Sequence, residues 1–248
     1  MDGAMIKFVT RGETAADVFG DRTGKVKVRF LTQFLQTFSS ASRMFSVQIP
    51  GSQDLNSSLP FQAEMAPAGH FVQLYDHENQ LLDSLELYLL DGLRAGESVV
   101  VIATARHREE LERRLSKHDI DVDRAKCRDD YIALDASEVM ATFLKDGWPD
   151  EDRLRKTLSA VFVRARKNHD ELRIFGEMVA VLWDLGQPAA TLRLERLWNA
   201  ALQGEGVPLY CAYPSGGFNK STLKSLELIC SEHTSVVKKT LLPFEQPA

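Results

Sequence analysis

From His70 onward, short apolar runs alternate with segments whose apolar positions recur every three or four residues. HFVQLY (His70 to Tyr75) reads as a strand, with Asp76 as a candidate helix cap behind it. Leu81, Leu82, Leu85, Leu89 and Leu93 then follow at helical spacing, and Gly92 and Gly96 mark the stop. SVVVIAT (Ser98 to Thr104) is β-branched and apolar on both faces, as a buried parallel strand must be. Thr104 is placed to cap the charged helix ARHREELERRLSKH. YIALD (Tyr131 to Asp135) is the next strand, and Asp135 with Glu138 makes a D-x-x-E capping box for SEVMATFLKD. Gly147 and Pro149 end that helix and start another, whose Leu154, Leu158, Val161, Phe162 and Ala165 share a face. LRIFGEM (Leu172 to Met178) gives a fourth strand, turning at Gly176 into a helix that ends near Gly186. Pro188 opens a helix through Leu202, VPLYCAYP (Val207 to Pro214) is a fifth strand, and Leu223, Leu226 and Ile229 mark a last helix.

Strands separated by helical crossovers imply a three-layer α/β sandwich with a mainly parallel central sheet, in one domain over residues 67–240. Such spacing carries no strand order. Residues 1–66 differ: they are rich in Ser, Thr, Gln and Gly, with one modest apolar run, Lys25 to Phe38, suited to a short strand or helix. They read as a weakly structured N-terminal segment, either an arm or an extension upstream of a start at Met65. Residues 241–248 read as a C-terminal tail.

Composition narrows the function. A net charge of -5 argues against nonspecific binding to nucleic acid or an anionic membrane. No apolar stretch approaches the length of a membrane span, and the N-terminus lacks the apolar core of a signal peptide. Three cysteines without CxxC spacing point to reduced thiols and a cytoplasmic location.

The chemical motifs are mostly missing. A phosphate-cradling loop belongs between the first two strands, where the chain runs YDHENQLLDSL without a glycine. GDRTGKV (Gly20 to Val26) is one residue short, and PSGGFNKST (Pro214 to Thr222) has Pro214 and Asn219 at the two glycine positions. The histidines form no H-x-x-x-H cluster. Cys230 and His233 are one helical turn apart, but two ligands are not a metal site, so no metal and no cofactor are expected. Cys211, in mid-strand, reads as a packed, inert thiol or a ligand-facing one. Glu195 and Asn199 fall on the flank of a helix stripe and read as a hydrogen-bonded pair facing a neighbouring helix. Ligands of parallel α/β sheets bind beyond the carboxyl ends of the strands. Those ends carry Tyr75 and Asp76, Thr104 and Arg106, Asp135, Gly176 and Glu177, and Tyr213 and Pro214. Glu177, directly behind a buried strand and a glycine, belongs on a pocket floor or at a helix N-terminus, whereas Asp76, Thr104 and Asp135 read as caps.

The blocks HFVQLYD at His70, DGLRAGESVVVIAT at Asp91 to Thr104, RIFGEM at Arg173, LERLWN at Leu194 and LYCAYP at Leu209 resemble the MEDS domain. This is the methanogen/methylotroph sensory domain of prokaryotic signal-transduction proteins, and ICSEH ending at His233 is similar to its C-terminal end. The likeness runs over about residues 68–237. It implies a degenerate RecA-like core without a phosphate loop, and a cytoplasmic domain that senses a simple hydrocarbon derivative. Carried over residue by residue, it implies a pocket built from His70, Tyr75, Glu177, Cys211 and Tyr213. The chain lacks a recognisable kinase, receiver or helix-turn-helix segment, so the implied output is contact with a separate histidine kinase, anti-sigma factor or regulator, compatible with a homo-oligomer. The domain is then a non-enzyme. A divergent ATPase using Glu177, or an interaction scaffold presenting the helix Arg106 to His118 or the N-terminal arm, are the alternatives.

Overall fold

The computed structural model describes residues 69–218 and 222–237 in full, and the strand backbones 6–9, 14–20 and 26–32. The chain divides into two compact units, Met1–Leu59 and Pro60–Ala248. In the first unit, β1 (Ile6–Val9), β2 (Thr14–Gly20) and β3 (Val26–Thr32) form an antiparallel sheet in that order. These strands lie in the segment read as weakly structured, and β3 falls in the first half of its one apolar run. The rest of that reading, and the tail over 241–248, fall outside the described residues.

The second unit is the expected α/β sandwich. Its strands are β4 (His70–Tyr75), β5 (Ser98–Ala103), β6 (Tyr131–Asp135), β9 (Leu172–Gly176), β10 (Leu209–Pro214) and β11 (Ser235–Val237). All pairings are parallel, in the order β11-β4-β10-β9-β5-β6. Five of these strands follow the apolar runs. β11, three residues long, is too short to leave a periodic signal. The small hairpin β7 (Leu144–Lys145) and β8 (Trp148–Pro149) replaces the direct helix-to-helix junction expected there. Asp146 and Gly147, both at positive φ, supply the Asp-Gly turn that such hairpins favour.

The helices are α1 (Glu78–Ala95), α2 (Ala105–Leu115), α3 (Val122–Cys127), α4 (Ala136–Phe143), α5 (Glu151–Ala165), α6 (Met178–Asp184), α7 (Pro188–Leu202) and α8 (Leu223–Ser231). The leucine repeat of α1 packs on Phe71, Val99, Val101, Tyr131, Phe175 and Tyr210, together with Leu111 and Leu115 of α2. The alternate strand residues, Val72, Val100, Ile102, Ile174, Leu209 and Cys211, are equally buried on the opposite face. There Trp198 of α7 lies against Gly176. Every residue of β5 is buried, which explains the unbroken apolar run that follows Ser98. Burial of each such Val or Ile contributes about 1.5–3 kcal/mol.

Strand order positions the chemistry. β5 continues into α2 on one face, while its neighbour β9 continues into α6 on the other. Their chain directions diverge, which makes the carboxyl ends of β5 and β9 the topological crevice at which such sheets place ligands.

Candidate functional site

Two polar centres emerge, and they divide the five expected pocket residues between them. The first lies in the crevice. Glu177, at the end of β9, does not cap its own helix α6. Its Oε2 instead accepts hydrogen bonds from the Thr104 amide at 2.7 Å and the Thr104 hydroxyl at 3.1 Å, at the start of α2. Thr104 therefore makes no side-chain cap to α2, contrary to the cap expected of it. Glu177 Oε1 lies 2.7 Å from His107 Nδ1, an ion-pair contact whose angle misses a linear hydrogen bond. His107 Nε2 meets Glu78 Oε1 at 2.8 Å, and the exposed Arg106 covers the other oxygen of Glu78. The result is a chain of groups, Thr104–Glu177–His107–Glu78, tying three strand exits together.

Electrostatics follow from this geometry. Burial works against a proton on His107, but Glu177 and Glu78 outweigh it and raise its pKa above the ordinary value. Burial, then the charges of Glu177, Asp184 and Glu78, push the Tyr75 hydroxyl up to about 12. Burial and Glu177 also raise Asp184. Tyr75, Asp184, Glu78 and Glu177 thus lie within one acidic field. The Gln80 side chain accepts from the Asp76 and His77 amides at 2.8 and 3.3 Å, and His77 rather than Asp76 occupies the cap position. Asp76 instead accepts from the Ser215 hydroxyl beyond β10. Only Asp135 caps as expected, taking the amides of Ser137 and Glu138.

The second centre is buried between β4, β10, α7 and the turn before β11. His70, Cys211 and Tyr213 meet there around Glu195, a residue the helix pattern placed on a flank. Glu195 in fact sits inside the buried stripe of α7, fully enclosed. His70 Nε2 lies 3.2 Å from Glu195 Oε2 and 3.2 Å from Cys211 Sγ. Cys211 Sγ is 3.8 Å from the same oxygen, and His233 Nε2 is 3.5 Å from it. The Tyr213 hydroxyl donates to Glu195 Oε1. The surroundings of Cys211 are therefore polar, not the apolar packing expected of a mid-strand thiol. Burial, reinforced by Glu195, still raises its pKa well above the ordinary thiol value, and Tyr213 is raised for the same reasons. Burial drives His233 down to about 4, leaving a neutral imidazole. Burial also opposes the charge on Glu195, but His233, His70 and Tyr213 together hold it below its ordinary value.

Sequence reading thus missed His107 and Glu78 in the crevice, and Glu195, Asn199 and His233 in the buried centre. His107 follows Thr104 by three, so one helical turn aims both at the crevice; that spacing was the available signal. The pairs Glu195–Asn199 and Cys230–His233 were visible, but nothing local joins residue 195 to 233. An open surface cleft of about 480 Å³, lined in part by Lys145, Trp148 and Arg193, touches neither centre.

A doubly covered parallel sheet with a carboxylate-lined crevice in place of a phosphate loop defines the class of domain. A protein-family model described as MEDS, MEthanogen/methylotroph, DcmR Sensory domain, matches residues 69–228, and the chain belongs to this family. A signal-sensing role comes with that membership. No curated protein matches the chain. No helix among the described residues is long and apolar enough to cross a membrane.

Proposed function

We propose that this chain is a cytoplasmic, non-enzymatic sensor that binds a small hydrocarbon derivative in the crevice at the ends of β5 and β9. Its occupancy is read by a separate signalling protein, such as a histidine kinase, an anti-sigma factor or a regulator. The observation that carries this reading is Glu177, a buried carboxylate at a sheet divide, facing His107 and sharing its field with Tyr75 and Asp184. Such a lining accepts hydrogen bonds and positive charge, so the favoured ligand is a small alcohol or amine. Its donor replaces His107 on Glu177, while its carbon skeleton rests on Tyr75. Because His107 lies in the first turn of α2, that exchange biases the position of α2. The exposed face of this helix, including Arg106, Glu109 and Arg113, is then the readout surface. A ligand that favours one position of α2 changes partner affinity by the difference in its own affinity for the two.

An ATPase fits less well. A phosphate would need the amides at the start of α1, which the Gln80 side chain engages and which Asp76 and Glu78 surround with like charge. The test is thermal unfolding of the full chain against small alcohols, amines and magnesium-ATP. At a hundredfold excess over its Kd, a ligand contributes about 2.7 kcal/mol, a rise of several degrees. The expected result is a rise with a small alcohol or amine that Glu177→Gln abolishes. A rise with magnesium-ATP alone, no rise at all, or one indifferent to Glu177→Gln refutes the assignment.

A further inference from the structure

The buried centre contains more lone pairs than its own hydrogen-bond donors satisfy. Asn199 Nδ2 donates to the Glu232 carbonyl at 2.8 Å, which turns Asn199 Oδ1 toward His70 Nδ1 at 2.9 Å. His70 therefore donates from Nδ1, which leaves Nε2 as the ring atom that faces Glu195 and Cys211. His233 repeats the arrangement: Nδ1 sits 2.6 Å from the Ile229 carbonyl and so carries the hydrogen, leaving Nε2 bare. His233 Nε2 is buried, has no hydrogen-bond partner, and faces Glu195 Oε2. The Cys211 thiol can donate to only one of His70 Nε2 and Glu195 Oε2, and the His233 Nε2 lone pair still faces the carboxylate oxygen with no donor. In a protein interior that arrangement is unfavourable unless a cation lies among them.

The geometry points to a site for one zinc-class divalent ion, held by His70 Nε2, His233 Nε2, Cys211 Sγ and Glu195 Oε2. These four atoms all lie within 4.8 Å of one another. Tetrahedral zinc, with bonds near 2.0–2.3 Å, sets its ligand atoms about 3.3–3.8 Å apart. The close pairs here stand at 3.2, 3.2, 3.5 and 3.8 Å, so small side-chain adjustments admit the ion. Both histidines are already oriented as metal ligands are, with Nδ1–H on an amide or backbone carbonyl. Tyr213 holds the remaining carboxylate oxygen in the same way. One nitrogen pair, one sulfur and one oxygen suit Zn²⁺ over Mg²⁺ or Ca²⁺, which prefer oxygen. Binding displaces the thiol proton to solvent, so Zn²⁺ enters and H⁺ leaves. All four positions come from the protein and are buried, which makes the ion a staple and not a catalyst. It joins β4, α7, β10 and the turn into β11, and it is independent of the proposed crevice ligand.

The test uses the full chain purified without added metal. We expect about one zinc per chain by elemental analysis. After chelation, one equivalent of Co²⁺ should give the intense visible bands of a tetrahedral centre and a near-ultraviolet sulfur-to-cobalt band, both displaced by Zn²⁺. Cys211→Ser, which keeps a small polar side chain, should lose the sulfur band, whereas Cys127→Ser at the exposed thiol should not. Absence of tetrahedral bands with folded wild-type protein overturns the proposal. So does a sulfur band that depends on Cys127. Should Cys211→Ser not fold, the wild-type cobalt stoichiometry and spectrum decide the matter by themselves.

Discussion

Replacing Glu177 by glutamine isolates what its charge does for the fold. The side chain keeps its length and one carbonyl oxygen, so an acceptor for the Thr104 amide remains. What disappears is the negative charge facing His107 at 2.7 Å and the charge in the bonds to Thr104. Hydrogen bonds to charged groups contribute about 1.5–3 kcal/mol, against about 0.5–1.5 for neutral ones. Two such weakened interactions in a buried setting put the loss at about 1–3 kcal/mol, or roughly 2–10 °C in Tm for a domain of this size. The loss depends on pH, with a definite sign. Glu177 and Glu78 raise the pKa of folded His107. Its proton therefore contributes stability that is fully present below about pH 6.5 and is lost as pH rises through the folded value. The gap between wild type and Glu177→Gln should be widest near pH 6 and narrow toward pH 9, where only the Thr104 bonds differ. Urea unfolding followed by tryptophan fluorescence at several pH values measures the gap, and comparing the two proteins cancels other titrating groups. NMR titration of His107 should show its pKa falling in the variant. A gap that stays constant from pH 6 to 9, or a wild-type His107 that titrates at or below its ordinary value, would falsify the pairing of Glu177 with His107.

Three further substitutions probe the frame. At Gly92, an added Cβ would stand 2.5 Å from Arg173 Nε and 2.9 Å from Val99 Cγ2. Arg173 is anchored at 2.6 Å to both oxygens of Glu97 and at 2.7 Å to the Tyr88 carbonyl. Gly92→Ala should therefore destabilise by about 1–3 kcal/mol despite the gain in helix propensity; a neutral urea midpoint contradicts this. Asp135→Ala removes the cap of α4 and the partner of Arg108, with an expected loss of about 1–2 kcal/mol in the same assay. Tyr213→Phe strips a buried carboxylate oxygen of its donor and should cost about 1–3 kcal/mol, and an unchanged midpoint would show that Glu195 is satisfied elsewhere.

Much of the architecture was legible in the chain. Periodicity shows which residues leave water, so the leucines of α1, the two-faced apolar run of β5 and the proline opening α7 identified their elements directly. Caps were less legible. Asp135 behaves as its local pattern says, but Thr104 and Asp76 are drawn to Glu177 and Ser215, residues 73 and 139 positions away. A side chain with a stronger partner across the sheet abandons the local one.

The site divides along the same line. Alternation put His70, Cys211 and Tyr213 on strands that must be buried, and Glu177 at a strand end where ligands gather. Strand order is a long-range matter, because any apolar strand can pair with any other of similar length. Only the folded sheet, with β9 beside β5, sets Glu177 against Thr104 and His107. Only the docking of α7 and the turn before β11 onto β4 and β10 brings Glu195 and His233 to His70 and Cys211. A helix pattern distinguishes a buried position from an exposed one, but it carries no information on whether that position faces methyl groups or two imidazoles. That is decided by what packs opposite, which the tertiary structure alone supplies.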